Sequence, residues 1–137
     1  LAIILEDALK SSVIATIEEM SFVALADKSA DDIPNDFLQQ SLQSMLSVEK
    51  PPMKEYDVFI LTISRNLLRE ITYNVFGLVS EESVTDEMET DARSEMLNTI
   101  AGRFMREITP ANQSYELGLP ITGSYALDKE KDKTLNC

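Results

Sequence analysis

Residues 85–110 read TDEMETDARSEMLNTIAGRFMREITP, and the way this stretch sorts its side chains decides the fold. Ser83 and Thr85 are both suitable N-caps, and Pro110 cannot continue a helix, so a helix is predicted to about Ile108. At about 100° per residue, Met96, Leu97, Ile100, Phe104 and Ile108 gather on one side as a core face. Asp91, Glu95, Asn98 and Gly102 fall opposite, within a sector roughly 60° wide. A lone Asp-x3-Glu pair is ordinary solvated surface. Asn98 is not ordinary, because asparagine competes for backbone hydrogen bonds and disfavours mid-helix positions. An acid-acid-amide row held outward by an apolar back is a candidate working surface.

Upstream, Leu5, Leu9, Val13, Ile14, Ile17 and Met20 recur at helical spacing, with Glu6, Lys10, Thr16 and Glu18 on the other side. This predicts an amphipathic first helix with one buried stripe. Ser21 to Ala26 is short and apolar, as a strand would be, and Asp27 to Asp36 is an acidic loop containing Pro34. Leu38 to Val48 alternates in part, with Leu42, Leu46 and Val48 against Gln43 and Ser47, although its Leu and Gln content also suits a helix. Tyr56 to Ile63 is rich in β-branched and aromatic residues. With the turn Lys50 to Lys54 between them, the two runs are predicted to form an antiparallel hairpin. Ser64 can cap a second helix bearing Leu67, Leu68, Ile71 and Val75, which Gly77 stops in a left-handed conformation. Tyr115 to Leu119 and Ile121 to Leu127 read as strand pieces, with Gly118 interrupting the first, and Asp128 to Lys133 as a charged turn.

The 137 residues, 44% of them hydrophobic, suit one domain around one core, spanning residues 1–137. A net charge of -12 argues against nucleic-acid binding and against docking on anionic membrane. Histidine is absent, which removes imidazole catalysis and histidine-held zinc. The only cysteine is Cys137, so no intramolecular disulfide can form, and the content fits a reducing cytoplasm. No apolar run reaches membrane-spanning length. Leu1 to Leu5 is soon followed by Glu6 and Asp7 and has no basic residues before it, so it reads as a helix start rather than a signal peptide. Without an initiator Met, the chain is expected to begin after processing or trimming.

The spacing Asp91-x3-Glu95-x2-Asn98 followed by Pro120 resembles the signature of the CheC/CheX/FliY phosphatases of bacterial chemotaxis. Asn98-Thr99-Ile100-Ala101-Gly102 resembles that family's Asn-x-Ile-x-Gly, and Leu119-Pro120-Ile121-Thr122-Gly123 its apolar-Pro-x-x-Gly strand start. The order helix, hairpin, helix, long helix, strand is also similar. The resemblance implies an α+β, two-layer CheC-like fold, with an antiparallel-rich sheet packed against long helices. It also implies dephosphorylation of an aspartyl-phosphate response regulator, CheY-like, in two-component signalling. In the family the Asn orients the attacking water and the Glu pairs with the regulator's Lys. By position these roles fall to Asn98 and Glu95. Asp91 would support the site or touch the partner, and Gly102, Pro120 and Gly123 would be structural. No cofactor is expected in this chain, since Mg²⁺ belongs to the regulator's site. One copy of the signature is more like CheX than CheC, and implies a homodimer joined through its sheets.

The tail after Gly123 has only 14 residues, room for a short hairpin from Ser124 to Leu127 and Thr134 to Cys137 where the family continues through a further strand pair. The alternatives are a non-catalytic CheX-like module docking on a regulator or flagellar-switch component, and a metal-dependent hydrolase using Asp91 and Glu95 as ligands. The latter lacks an evident third ligand. A plain structural domain is the fallback.

Overall fold

Two hydrophobic clusters meet along the apolar side of the long helix. The computed structural model describes residues 2–25, 36–37, 39–52 and 54–122. Its elements are α1 (Ala2–Ser21), β1 (Ser41–Lys50), β2 (Glu55–Ser64), α2 (Arg65–Val75) and α3 (Asp86–Ile108), then two short strands, β3 (Glu116–Leu117) and β4 (Ile121–Thr122). A single 3-10 turn, Glu81–Ser83, lies between α2 and α3. The predicted loop over 27–36, apart from Asp36, lies outside the described residues, as does everything predicted beyond Thr122, Gly123 included.

The sheet is antiparallel throughout. β1 lies between β2 on one side and, on the other, β3 and β4 in succession. The β1–β2 hairpin keeps one register from Ser41↔Ser64 to Lys50↔Glu55, so period-2 alternation sends Leu46, Val48, Phe59, Leu61 and Ile63 toward the helices. β1 starts three residues later than the partial alternation suggests, and Lys50 belongs to the strand rather than to the turn. The helices supply the second layer, with α3 packed on β1 and β2, and α1 and α2 packed on α3. This is the expected α+β, two-layer arrangement.

Local signals place the helix ends. Ser64 Oγ accepts from Leu67 N at 3.3 Å and Thr85 Oγ1 from Met88 N at 3.1 Å, each satisfying a donor that the first helical turn leaves free. Asp86, Glu87 and Glu89 in the first turn of α3 complement its dipole. Gly77 takes φ +61° just past α2.

The first helix keeps part of its predicted facing, with Val13, Ile17 and Met20 in or against the core, and departs from the rest. Thr16 is fully buried, together with Ala8, Ser12, Ile17 and Ser21, whereas Leu5 and Leu9 are exposed. α1 meets its neighbours through these small side chains and through Ile17, with Val13 and Met20 packed on the same cluster. The hydroxyls of Ser12, Thr16 and Ser21 donate to the carbonyls of Ala8, Ser12 and Ile17 at 2.6–2.8 Å, so their burial leaves no orphan. The strand predicted from Ser21 is absent over residues 22–25, and Ala26 lies outside the described residues. Ser21 ends α1, Phe22 turns the chain at φ +61° with its N–H on Glu18 O, and Val23 and Leu25 pack onto the core as irregular chain. Apolar content here serves burial without a ladder partner.

The two short strands bring the tail back across β1. Gly118 N donates to Ser47 O at 2.7 Å, and a Cβ on Gly118 would sit 2.8 Å from that backbone oxygen. The interruption of the strand pattern at Gly118 is therefore a close approach to β1 that only glycine permits. Gly118→Ala is expected to lower stability by about 1–3 kcal/mol, the range for forced overpacking. Urea denaturation checks this; an unchanged midpoint would mean that the tail does not lie against Ser47.

Candidate functional site on the outer face of the long helix

The rotation of α3 about its axis follows from burial. Met96, Leu97, Ile100, Ala101 and Met105 are all 3% exposed or less. Each large apolar side chain taken out of water contributes about 1.5–3 kcal/mol, well above the few tenths of a kcal/mol from exposed polar pairs on a helix. Met96 enters the cluster with Ile17, Ile63, Leu68 and Ile71, and Leu97, Ala101 and Met105 enter the one with Leu46 and Val48. Phe104 adds an edge-to-face contact with Phe59, with ring centroids 5.5 Å apart.

With that side committed, the polar row faces out. Asp91 and Glu95 are exposed, and Asn98 is half-buried. Thr99 Oγ1 donates to Glu95 Oε1 at 3.4 Å, a weak contact that leaves the carboxylate available to an incoming cation. The Asn98 side chain makes no hydrogen bond among the described residues, so both its carbonyl oxygen and its amide hydrogens remain for another molecule. The three residues span about two turns of the helix. A hollow of about 520 Å³ lies elsewhere, between α1, β2 and the apolar side of α3, and contains none of them. The arrangement suits insertion into a partner's cleft rather than enclosure of a small substrate.

The remaining motif residues sit around this row. Pro120 is half-buried in the link between β3 and β4, which both pair with β1 beside α3. Gly102 is half-buried on the outer row, but a Cβ there would lie 3.6 Å from Leu117 Cδ1, an ordinary contact. Close packing does not demand a glycine at that position. Among the described residues no three His, Cys, Asp or Glu side chains converge on a point where a metal could be held, and Asp91 and Glu95 have no third carboxylate beside them.

Two charged residues of α3 escape the two-faced reading. Glu89 and Arg93, one turn apart, are each 5% exposed and lie on the side turned toward α2 and β1. The signal was present: on the helical wheel Arg93 falls within roughly 20° of Ile100, in the middle of the apolar side. Glu89 Oε1 meets Arg69 Nε at 3.7 Å. Burial pushes the Arg93 guanidinium below its ordinary value; Glu89 pulls it back up, and Arg65 pushes it down.

The outer row is also braced from α1. Arg103 pairs with Glu19, which joins the end of α1 to the helix that carries the row. Hydrogen bonding and charge attraction from Arg103 hold the Glu19 carboxyl below its ordinary value of 4.5. The folded form thus holds its proton less tightly than the unfolded chain does. The stabilisation is present above pH 4.5 and is lost as pH falls through the lowered value. Glu19→Gln should therefore show a flatter fall of Tm on acidification below pH 4.5 than the parent protein. Identical slopes would show that the pair carries no stability.

No family model matches the sequence, and no curated protein matches it. Solved structures do. The chemotaxis protein CheX from Vibrio vulnificus superposes with a TM-score of 0.68 at 15% identity, over 88% of this chain and 74% of that one. A CheC-like superfamily protein from Shewanella sp. PV-4 gives 0.62 at 18% identity, over 88% and 75%. At these identities the likeness is one of architecture. The resemblance read from the motif is met by an independent likeness of the backbone, and the chain is built on the CheC/CheX fold.

Proposed function

We propose that this protein is a phosphatase of an aspartyl-phosphate response regulator, with Asn98 as the water-orienting residue and Glu95 as the partner-pairing one. The observation that carries the reading is the Asn98 side chain. It stands on the outward row of α3 without a hydrogen bond among the described residues, next to an exposed Glu95, on a CheC/CheX fold.

An aspartyl phosphate is a reactive acyl phosphate, so the catalyst's task is to place a water in line with phosphorus. A carboxamide suits that task. It accepts from and donates to the water, and being neutral it does not repel the phosphoryl group. The regulator supplies the phosphorylated Asp, Mg²⁺ and a Lys. Glu95 would pair with that Lys and thereby set the depth at which Asn98 enters. An exposed carboxylate at Glu95 suits pairing with a cation of the partner. Asp91, one turn back, would contact the partner's rim. The proposed setting is cytoplasmic; among the described residues no helix is long and apolar enough to cross a membrane.

Phosphate release from a phosphorylated CheY-like regulator tests this. Asn98→Ala is expected to lose about 100-fold or more in rate, about 2.7 kcal/mol of barrier, while still binding the phosphorylated regulator. Glu95→Ala is expected mainly to weaken binding. Full activity in the Asn98→Ala protein would defeat the assignment, and binding without any phosphate release by the parent chain would favour the non-catalytic docking module.

The proposed homodimer has support in β2, an outer strand of the sheet among the described residues. Tyr56, Val58 and Ile60 are 59%, 47% and 56% exposed along it. From Glu55 to Ser64 it carries none of the Lys, Pro or bulges that protect solitary edges. Light scattering should return twice the 15.3 kDa of one chain. A mass of one chain at about 100 µM, a concentration at which a dimer with a Kd near 1 µM would be nearly complete, would remove the dimer from the proposal.

A further inference from the structure

We infer that the hollow between α2 and α3 is a binding site for a small oxyanion, a phosphate or carboxylate group, held by Arg65 and Arg93. The hollow measures about 200 Å³ and is lined by Leu42, Arg65, Asp86, Glu89, Thr90 and Arg93. It lies on the opposite side of α3 from Asn98 and is independent of the phosphatase reading.

Three observations converge there. Arg93 is 5% exposed, and its Nε and Nη1 have no acceptor among the described residues. A buried guanidinium normally satisfies its fork of donors, because removing them from water without acceptors is costly. Second, Arg65 lines the same hollow, close enough to Arg93 for the two positive charges to oppose each other. An anion between them would turn that repulsion into attraction, and planar guanidinium donors match the paired oxygens of a carboxylate or phosphate. Third, Arg65 is the first residue of α2, an eleven-residue helix, so the hollow it lines touches the first turn of that helix.

The carboxylates already present do not close the account. Glu89 is shared with Arg69, which does not line the hollow, so the two guanidinium groups that do line it face Asp86 and an already engaged Glu89. Overall the chain has twice as many acidic as basic residues, 24 against 12. Two guanidinium groups side by side, one of them buried with unmet donors, run against that composition.

The test is an NMR titration of the ¹⁵N-labelled full chain with sodium phosphate, and separately with sodium acetate, each against sodium chloride at matched ionic strength. Saturable shifts are expected at the amides of Arg65 and Asn66 and at the Arg93 Nε–H, with at least one of the two oxyanions and not with chloride. Whichever oxyanion saturates names the ligand's chemistry. Arg65→Gln, a change at an exposed side chain that leaves the core intact, should weaken the affinity at least tenfold. Arg93→Lys, which keeps the charge and loses the fork, should do the same if it folds. Shifts that chloride reproduces, or an unaltered affinity in Arg65→Gln, would overturn the inference.

Discussion

The apolar flank of α3 is the constraint on which the molecule turns. Met96 reaches one cluster and Leu97, Ala101 and Met105 the other, so a single rod ties α1 and α2 to the sheet. Any rotation of that rod would expose several kcal/mol of buried side chain. The outward direction of Asp91, Glu95 and Asn98 is thereby set by residues that never touch a partner. The site is rigid because it is the reverse side of the core.

This separation of duties explains how a site with so little machinery could act. The row contains no histidine, metal cluster or enclosed pocket among the described residues. Chemistry on an activated phosphoryl group asks for placement above all. A well-anchored helix provides placement at low conformational cost, because only the last bonds of each side chain remain to be ordered.

Much of this was legible because the relevant signals are local. Ser64, Thr85, Gly77 and Pro110 mark helix ends through their own backbone chemistry, and α3's apolar spacing orients it without reference to any partner. The first helix was misread in part, at Leu5, Leu9 and Thr16, for the opposite reason. Thr16 looks polar by composition, but it is small enough to bury and bonds its own backbone, while Leu5 and Leu9 line an open hollow against β2 and α3 instead of a closed core. Residues 22–25 show that an apolar run becomes a strand only where a ladder partner exists, which is a fact about the rest of the chain. Arg93 lies among apolar neighbours on the wheel and was assigned to neither face; the assembled α2–α3 contact shows it enclosed. The outer row itself was readable as a face, and its freedom from internal hydrogen bonds was not.

The hydroxyls buried in α1 are each bonded to a carbonyl of their own helix, one turn earlier. None of them relies on α3 for satisfaction. A drift from serine or threonine to alanine along this seam would strand no donor in the neighbour and would leave a gap of only an atom or two. Glu89 and Arg69 are tied the other way, one on α3 and one on α2, so changing one leaves the other exposed to its loss. The two seams of α3 should therefore age differently: the α1 side can wander by single steps, whereas the α2 side must change in concert.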